Sequence, residues 1–132
     1  MSIISKMQQA LYLRQPSPEM VDAGLSDKSD IVRAVWASRQ DIPWTWEQIQ
    51  RGMEDFSWKV RIEWANKRYA DVKTLQAVMH RLHRDTQEEV REACVKNNSW
   101  TPTAEQIETL SKDISWRVRR AVAQKEDCHL TP

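Results

Sequence analysis

One eleven-residue motif occurs four times in this chain, and its spacing constrains the fold more than any other feature. In each copy an aspartate stands five residues before a Val-Arg pair, and the steps between copies are 28, 30 and 28 residues. The strongest copies begin at Asp55 and Asp113, and weaker ones begin at Asp27 and Asp85. A fixed period of this length is typical of supersecondary units that stack to share one continuous core. The sequence therefore predicts an array of repeats.

Low glycine content and regularly spaced capping residues favour helices over strands in each repeat. The 132 residues include only two glycines, which argues against a sheet protein with tight hairpins. A residue that suits a helix N-cap precedes the expected first helix of every repeat: Ser17, Thr45, Asp71 and Thr103. Glutamine follows Thr45 and Thr103 after three residues, which is the pattern of a capping box. The second helices have expected caps of their own, which are Ser29, Ser57, Ser115 and the less suitable Gln87.

Together these signals predict an all-α single domain of four two-helix repeats of about 28 residues with an N-terminal cap helix. The expected segments are the cap helix at 2–14, repeats 1 to 4 at 17–40, 45–68, 71–98 and 103–126, and a short tail at 127–132. The second helices are expected at 30–39, 58–67, 88–97 and 116–125. Their inward set includes one valine in each repeat: Val32, Val60, Val90 and Val118.

Both ends of the array have features of their own. The cap helix places five apolar residues at helical spacing: Ile3, Ile4, Met7, Ala10 and Leu11. A shift of 28 residues puts Ile4 under Val32, so we interpret this helix as a degenerate half-repeat whose apolar face points inward. At the other end, residues 130–132 resemble residues 100–102, which lead into repeat 4. The far face of the last second helix is therefore expected to be a contact surface.

The repeat unit resembles a known class of helical repeats. Asp-x-x-x-x-Val-Arg-x-x-x-Ala after a short capped helix is similar to the units of HEAT-like proteins, above all the short bacterial ones and the leucine-rich repeat variants. Residues 101–107 and 115–123 also resemble tandem repeats of bacterial and prophage proteins. The resemblance covers about residues 17–127 and implies a right-handed α-solenoid with first helices on the convex side and second helices on the concave side. It does not specify an activity, because such repeats serve adaptors, inhibitors, chaperones and some DNA-binding enzymes.

The charged residues of the motif form a regular series: Asp27, Asp55, Asp85 and Asp113 with Arg33, Arg61, Arg91 and Arg119. One interpretation is a ladder of charges that faces a ligand. The interpretation we favour is structural, because an aspartate in a tight turn accepts backbone N–H groups and an arginine can pair with the aspartate of a neighbouring repeat. Stacking requires the same residues in every copy, whereas a binding site usually needs copies that differ.

Tryptophan is abundant, with seven residues in the chain. Trp36 and Trp64 share one inward position and are expected in the core. The others are candidate contact residues because they lie in loops between repeats or at the first turn of a second helix: Trp44, Trp46, Trp58, Trp100 and Trp116. For Trp58 and Trp116 two interpretations stay open, since they either pack over the turn between repeats or stand exposed as binding anchors.

The second helices are basic, with twelve lysines and arginines against five acidic residues in segments 29–40, 57–68, 87–98 and 115–125. Apart from the four motif arginines, the candidate binding residues of this stripe are Arg39, Lys59, Lys67, Arg68, Lys96, Arg117, Arg120 and Lys125. On a concave face they could follow a phosphate backbone. The alternative is that basic residues near helix C-termini complement the helix dipole. Glu88, Glu89 and Glu92 interrupt the stripe in repeat 3 and count against nucleic-acid binding.

Several classes of function find no support in the sequence. The net charge is +1, no apolar run is long enough to span a membrane, and the first residues do not form a secretory signal. His80 and His83 lack further metal ligands at matching spacing, and neither a phosphate-binding loop nor a nucleophile–base pair occurs. Cys94 is expected to be buried and Cys128 lies in the tail, while a disulfide between them stays a less favoured alternative. We therefore expect a cytoplasmic protein without catalytic residues, metal or cofactor.

The preferred function is a non-catalytic scaffold that binds another protein through its second-helix face or through an uncovered end. The alternative is a nucleic-acid-binding module that uses the basic stripe. Both follow from a repeat array without reactive groups, and the sequence does not identify the partner.

Overall fold

Helices are the only regular secondary structure of the residues that the structure describes. The computed structural model describes the backbone of residues 1–130 and the side chains of residues 1–126. The described residues form nine helices and no strand: α1 (Ile3–Tyr12), α2 (Pro18–Leu25), α3 (Asp30–Ala37), α4 (Trp46–Met53), α5 (Trp58–Ala65), α6 (Val72–Leu82), α7 (Glu88–Lys96), α8 (Ala104–Ser111) and α9 (Trp116–Leu130). The prediction of an all-α chain is confirmed.

Side-chain caps begin the first helix of every pair at the predicted residues. Ser17 Oγ accepts a hydrogen bond from the backbone N–H of Met20, and Pro18 occupies the first helical position. Thr45 and Thr103 form complete capping boxes with the glutamines three residues later. Asp71 caps α6 by accepting from the N–H of Lys73. These caps satisfy backbone donors that have no partner inside the helix.

The predicted residues Ser29, Ser57 and Gln87 occupy the N-cap positions of α3, α5 and α7, but the motif aspartate makes the recurrent hydrogen bond at the start of the second helices. Oδ1 of each motif aspartate accepts the N–H two residues later, at 2.9 Å for Asp27, Asp55 and Asp85 and 2.8 Å for Asp113. Among the four predicted caps, Ser57 does accept from Lys59 N–H at 3.3 Å. The remaining three do not cap: the side chains of Ser29 and Gln87 accept no capping hydrogen bond, and the buried Ser115 hydroxyl makes none within the described residues.

The chain divides into two compact units, and each is described by itself. The N-terminal unit, Met1–Lys67, contains α1 to α5; α3 packs against both α1 and α5, while α2 packs on α3 and α4 on α5. The C-terminal unit begins at Arg68; α7 packs against α6 and α9, and α8 packs on α9. Within each unit, second helices therefore contact each other and carry a first helix on another side. The repeat boundaries and the single-domain organisation stay predictions.

The cores of the two units are built from the predicted inward positions. The valine of the motif is at most 1% exposed in all four copies: Val32, Val60, Val90 and Val118. Trp36, Trp64 and Cys94 are also buried, as the sequence predicts. Buried apolar side chains of this size each stabilise the fold by about 1.5–3 kcal/mol.

Both glycines make room for a tryptophan of the following helix. A Cβ added to Gly24 in α2 would collide with the indole of Trp36 in α3. In the next pair, a Cβ on Gly52 would collide with the indole of Trp64. The bulky ring therefore lies directly against the backbone of the first helix, which only glycine permits.

In the C-terminal unit the same two positions have the large and the small residue exchanged. Leu82 and Leu110 replace the glycines, while Cys94 and Val122 replace the tryptophans. All four are buried. The exchange of a large and a small residue between two facing positions keeps the core volume roughly constant, as close packing requires.

The cap helix α1 does not bury the face predicted for it. Ala10 is fully buried, but Ile3 and Leu11 are about half exposed and Ile4 is 70% exposed. The prediction of an inward face containing these three residues is wrong. It depended on a shift of 28 residues, which the structure replaces by one of 27.

The corrected register makes α1 equivalent to α3. Three pairs of residues that lie 27 apart have matching roles: Ser2 and Ser29 at the N-cap, Lys6 and Arg33 facing an aspartate, and Ala10 and Ala37 at 0% exposure. Lys6 Nζ lies 3.0 Å from Asp27 Oδ2. The helix α1 thus occupies the place of a second helix, one residue out of the predicted register.

The predicted ends of all four second helices also need correction. The first three second helices end at Ala37, Ala65 and Lys96, one or two residues before their predicted ends. The last one, α9, continues to Leu130 and so includes most of the segment predicted as a tail. Thr131 and Pro132 of that segment lie outside the described residues, as does the side chain of Cys128.

We predict that Gly52→Ala destabilises the protein by about 1–3 kcal/mol, because the new methyl group must displace Trp64. Alanine would otherwise favour a helix by about 0.5–1 kcal/mol over glycine. In a Trp64→Val background the same substitution is expected to be neutral or stabilising. Urea unfolding of the four proteins of this cycle measures the coupling. Equal destabilisation by Gly52→Ala in both backgrounds would contradict the explanation.

Candidate functional site

The arginines of the motif pair with the aspartate of the next repeat wherever both belong to the same unit. Arg33 donates from Nε and Nη2 to the two carboxylate oxygens of Asp55, at 2.9 and 3.1 Å. Arg91 binds Asp113 in the same way, at 2.8 and 2.9 Å. Such two-pronged pairs fix orientation as well as distance. Their side chains are only 11–17% exposed, so these arginines and aspartates hold neighbouring helix pairs together and do not face a ligand.

Each motif arginine also donates to its own turn. Nη1 of Arg33 donates to the carbonyl of Asp27 at 2.7 Å, and Arg61, Arg91 and Arg119 do the same to the aspartate six residues before them, at 2.8, 2.8 and 2.6 Å. In Asp113, burial raises the pKa of the carboxyl, but hydrogen bonds from Arg91 and from Ser115 N–H outweigh it and lower the pKa overall. The charged form is therefore the one that the turn holds.

A second ladder occurs at the C-terminal ends of the second helices. Lys67 Nζ donates to the carbonyls of Ala37 and Arg39, the latter at 3.0 Å. Lys125 Nζ donates to the Asn97 carbonyl at 2.9 Å, 28 residues earlier. At the first step, Arg39 Nη1 donates to the Ala10 carbonyl of α1 at 3.2 Å. The basic residue of one repeat thus serves the free carbonyls at the end of the preceding second helix, where a positive charge is also favoured by the helix dipole.

Lys67 therefore does not belong to a binding surface. Its exposed fraction is only 2%, and its ammonium lies 5.2 Å from the Trp44 ring centroid and 4.8 Å from that of Trp64. Burial lowers the pKa of Lys67 to about 8, although the nearby carboxyls of Glu63 and Asp41 act in the opposite direction. The prediction of Lys67 as a contact residue is wrong, because periodicity placed it on a helix end without showing that aromatic rings enclose that end.

Trp100 is the second predicted contact residue that is in fact buried. It is 4% exposed, and its ring lies 5.9 Å from that of the buried His83. Trp44 is half-buried, since its Nε1 donates to the Arg39 carbonyl at 2.9 Å and its ring packs edge-on against Trp64. Trp46 and Trp116 remain exposed, at 42% and 60%, and Trp58 is half-buried.

Most of the remaining basic candidates are already paired. Arg39 forms a two-pronged pair with Asp41, Lys96 lies 3.2 Å from Glu92, and Arg117 lies between Glu88 and Glu89 at 3.8 and 3.3 Å. Arg68 and Lys125 have contacts of their own. Among the predicted basic residues in the described part of the chain, only the side chains of Lys59 and Arg120 are exposed without a hydrogen bond or ion pair.

An apolar groove lies between the second helices α3 and α5 of the N-terminal unit. Its volume is about 330 Å³. Ile31, Ala34 and Val35 line it from α3, and Trp58 and Ile62 line it from α5. Lys59, Glu63 and Ser38 complete its border. We call this surface the α3–α5 groove.

The C-terminal unit has a groove at the corresponding place between α7 and α9, with a volume of about 270 Å³. Its lining is mostly polar: Glu92, Lys96, Trp116, Arg117, Arg120, Ala121 and Gln124. Position by position, Glu92 and Arg120 stand where the other groove has Ala34 and Ile62. At this place the repeats keep the groove but change its chemistry, whereas the valine, aspartate and arginine of the motif are the same in every copy.

The described residues hold no cluster of metal-ligating side chains. None of them form a group of three or more histidine, cysteine or acidic side chains that could hold a metal ion. Cys94 is fully buried, and that burial raises the pKa of its thiol. No helix in the described part of the chain has the length and apolar character needed to cross a membrane.

Three comparisons with known proteins gave no match. No family model matches the sequence, and neither the curated proteins nor the solved structures include a match. The resemblance to HEAT-like repeats therefore stays a prediction that depends on the repeated residues alone. The candidate surface is argued from this chain's own four copies.

The buried lysine yields a pH-dependent prediction. The pKa of Lys67 is about 8 in the folded protein and 10.5 ordinarily, so the unfolded chain binds more protons between these values. The free energy of unfolding should therefore rise with pH across this window. Relative to Lys67→Met, the wild type should gain about 2 kcal/mol between about pH 7.5 and about pH 10. Urea unfolding at both pH values measures this difference, and a difference that does not change with pH would contradict it.

Proposed function

We propose that the protein is a non-catalytic helical-repeat scaffold that binds another protein through its second-helix face. In this proposal the four helix pairs form a right-handed α-solenoid similar to HEAT-like repeats, with the second helices on the concave side. The contacts within each unit support it, since second helix packs on second helix and the arginine–aspartate pairs join consecutive repeats.

The α3–α5 groove is the observation that carries the function. The four copies act as an internal control, because they show which positions the fold requires. At the position of Ile31 the other repeats have lysine, glutamate and arginine, and at the position of Ile62 they have alanine, glutamate and arginine, so packing does not demand isoleucine at either. Ile31 is nevertheless 44% exposed in an apolar groove. Exposed apolar residues that the fold does not need are typical of a surface that contacts a protein.

A protein partner is favoured over nucleic acid by the state of the basic residues. Lys67 is enclosed, Arg39, Lys96 and Arg117 are paired with carboxylates, and Lys125 serves a backbone carbonyl. A nucleic-acid surface needs several free cations that can replace the counterions of phosphates. The α3–α5 groove has a single lysine in its lining, and its apolar side chains offer phosphates nothing.

The test compares capture of partners by the wild type and by Ile62→Arg. Arginine occupies this position in repeat 4, so the variant is expected to fold. We expect quantitative mass spectrometry of captured host proteins to show at least one whose recovery falls about tenfold or more with Ile62→Arg, the loss typical of a central contact residue.

The matched control is Phe56→Ser. Phe56 is 100% exposed in a turn and lies outside the groove, so its replacement removes an apolar group without touching the proposed surface. Recovery with Phe56→Ser should equal that of the wild type. If no protein depends on Ile62, or if nuclease treatment abolishes the recovery, the proposed function is wrong.

A further inference from the structure

The outer face of α9 is uncovered in a way that the equivalent helices are not. Ala37 in α3 and Val95 in α7 are buried at 0% and 1% exposure, whereas Ala123 at the same position of α9 is exposed. Trp116 and Arg119 are also exposed, while the equivalent residues of α3 and α7 are only partly accessible. A surface that forms a helix–helix interface elsewhere in the chain is therefore open on α9 within the described residues.

Arg119 is held in the conformation that its equivalents use to bind a carboxylate. Its Nη1 donates to the carbonyls of Asp113 and Ile114, at 2.6 and 3.1 Å. Arg33 and Arg91 have the same Nη1 contact with their own turns, and their Nε and Nη2 atoms bind a carboxylate. No carboxylate of the described residues accepts from Nε or Nη2 of Arg119. A guanidinium whose orientation is already fixed loses little entropy on binding.

The charges around Arg119 favour an anionic partner. Residues 116–125 include Arg117, Arg119, Arg120 and Lys125 but no aspartate or glutamate. Arg120 lies next to Arg119 on the exposed side and has no ion pair among the described residues. Trp116, 60% exposed, stands one turn before both arginines and offers a flat apolar surface.

We propose that the outer face of α9 binds a helical segment of a partner protein whose N-terminal turn presents a carboxylate to Nε and Nη2 of Arg119. The proposal rests on the proposed function and names the chemistry of the partner. The template is internal, since Asp55 and Asp113 stand in the turns that precede α5 and α9 and bind the arginine of the preceding second helix. A small or apolar side chain of the partner packs on Ala123, as helix contacts cover Ala37 and Val95.

A carboxylate fits this site better than a phosphate does. Both are bound by the fork of a guanidinium, but the tether on Nη1 leaves Arg119 a single edge with two donors. The same edge accommodates a flat carboxylate in both intact copies. A phosphate backbone would also require a row of free cations, whereas Arg117 is paired with Glu88 and Glu89 and Lys125 with the Asn97 carbonyl.

The chain itself supplies the probe for a test. A fluorescein-labelled synthetic peptide with the sequence of residues 101–126 contains α8, the Asp113 turn and the start of α9. Added to the full-length protein, it should bind with a saturable rise in fluorescence anisotropy. Asp113→Asn in the peptide and Arg119→Met in the protein should each weaken binding about tenfold, as expected for a two-pronged charged pair. The two changes together should cost little more than either one alone.

Two further variants separate this site from general effects. Arg84→Met removes an exposed arginine of the same unit away from α9 and should leave the affinity unchanged. Ala123→Arg blocks the face without removing any side-chain contact and should weaken binding at least as much as Arg119→Met. Both Arg119 and Ala123 are exposed, so circular dichroism should show an unchanged helix content for all variants.

Each contrary outcome overturns the proposal. No binding, or binding that ignores both Asp113 in the peptide and Arg119 in the protein, shows that the face does not hold a carboxylate. Binding of a labelled DNA duplex that requires Arg119, without peptide binding, would reassign the face to phosphates. Self-association that Arg119→Met abolishes would reassign it to a second copy. Because Ile62→Arg leaves this face intact, partner capture that depends on Ile62 without peptide binding would refute this inference and spare the proposed function.

Discussion

The two-pronged pair between a motif arginine and the aspartate of the next repeat is the interaction on which the rest of the structure depends. Arg33 and Arg91 each hold their own turn through Nη1 and the following turn through Nε and Nη2, while Asp55 and Asp113 also accept a backbone N–H in the turn before their second helix. The start of a helix and its register against the preceding helix are therefore fixed by the same carboxylate. Because the pair is largely removed from water, the loss of one partner would leave a poorly solvated charge, which costs far more than the loss of a surface ion pair.

Much of this was readable from the sequence, because repetition and capping are local signals. The period, the caps of the first helices, the buried valines and the two buried tryptophans all follow from residue type and spacing. The register of α1 did not follow, since that helix has no preceding motif aspartate from which to count. Lys67 and Trp100 were misplaced for another reason: helical spacing gives the side of a helix, whereas the depth of a residue depends on neighbours such as Trp44 and His83.

The four copies also separate what the fold requires from what it merely tolerates. Some core positions vary in compensating pairs, as where glycine with tryptophan is exchanged for leucine with a smaller residue. Groove positions vary without compensation, from Ala34 and Ile62 between α3 and α5 to Glu92 and Arg120 between α7 and α9. Because packing does not require a particular residue at these groove positions, their side chains can differ between repeats and can serve to recognise a partner. The α3–α5 groove is therefore the better candidate for an apolar partner.

A basic residue in such an array cannot be assigned a role from its charge alone. Lys67 and Lys125 donate hydrogen bonds to backbone carbonyls at the end of the preceding second helix, although both belong to a basic stripe that could have bound phosphates. Arg119 is the opposite case, a residue that was predicted to be structural because an arginine recurs at its position in every repeat. Its equivalents are structural only because a following turn brings them a carboxylate. On α9 no described residue brings a carboxylate to Arg119. Its Nη1 is still bound to its own turn, so Nε and Nη2 remain oriented as donors at the surface. The residue type is constant along the array, and its role depends on whether a helix covers it.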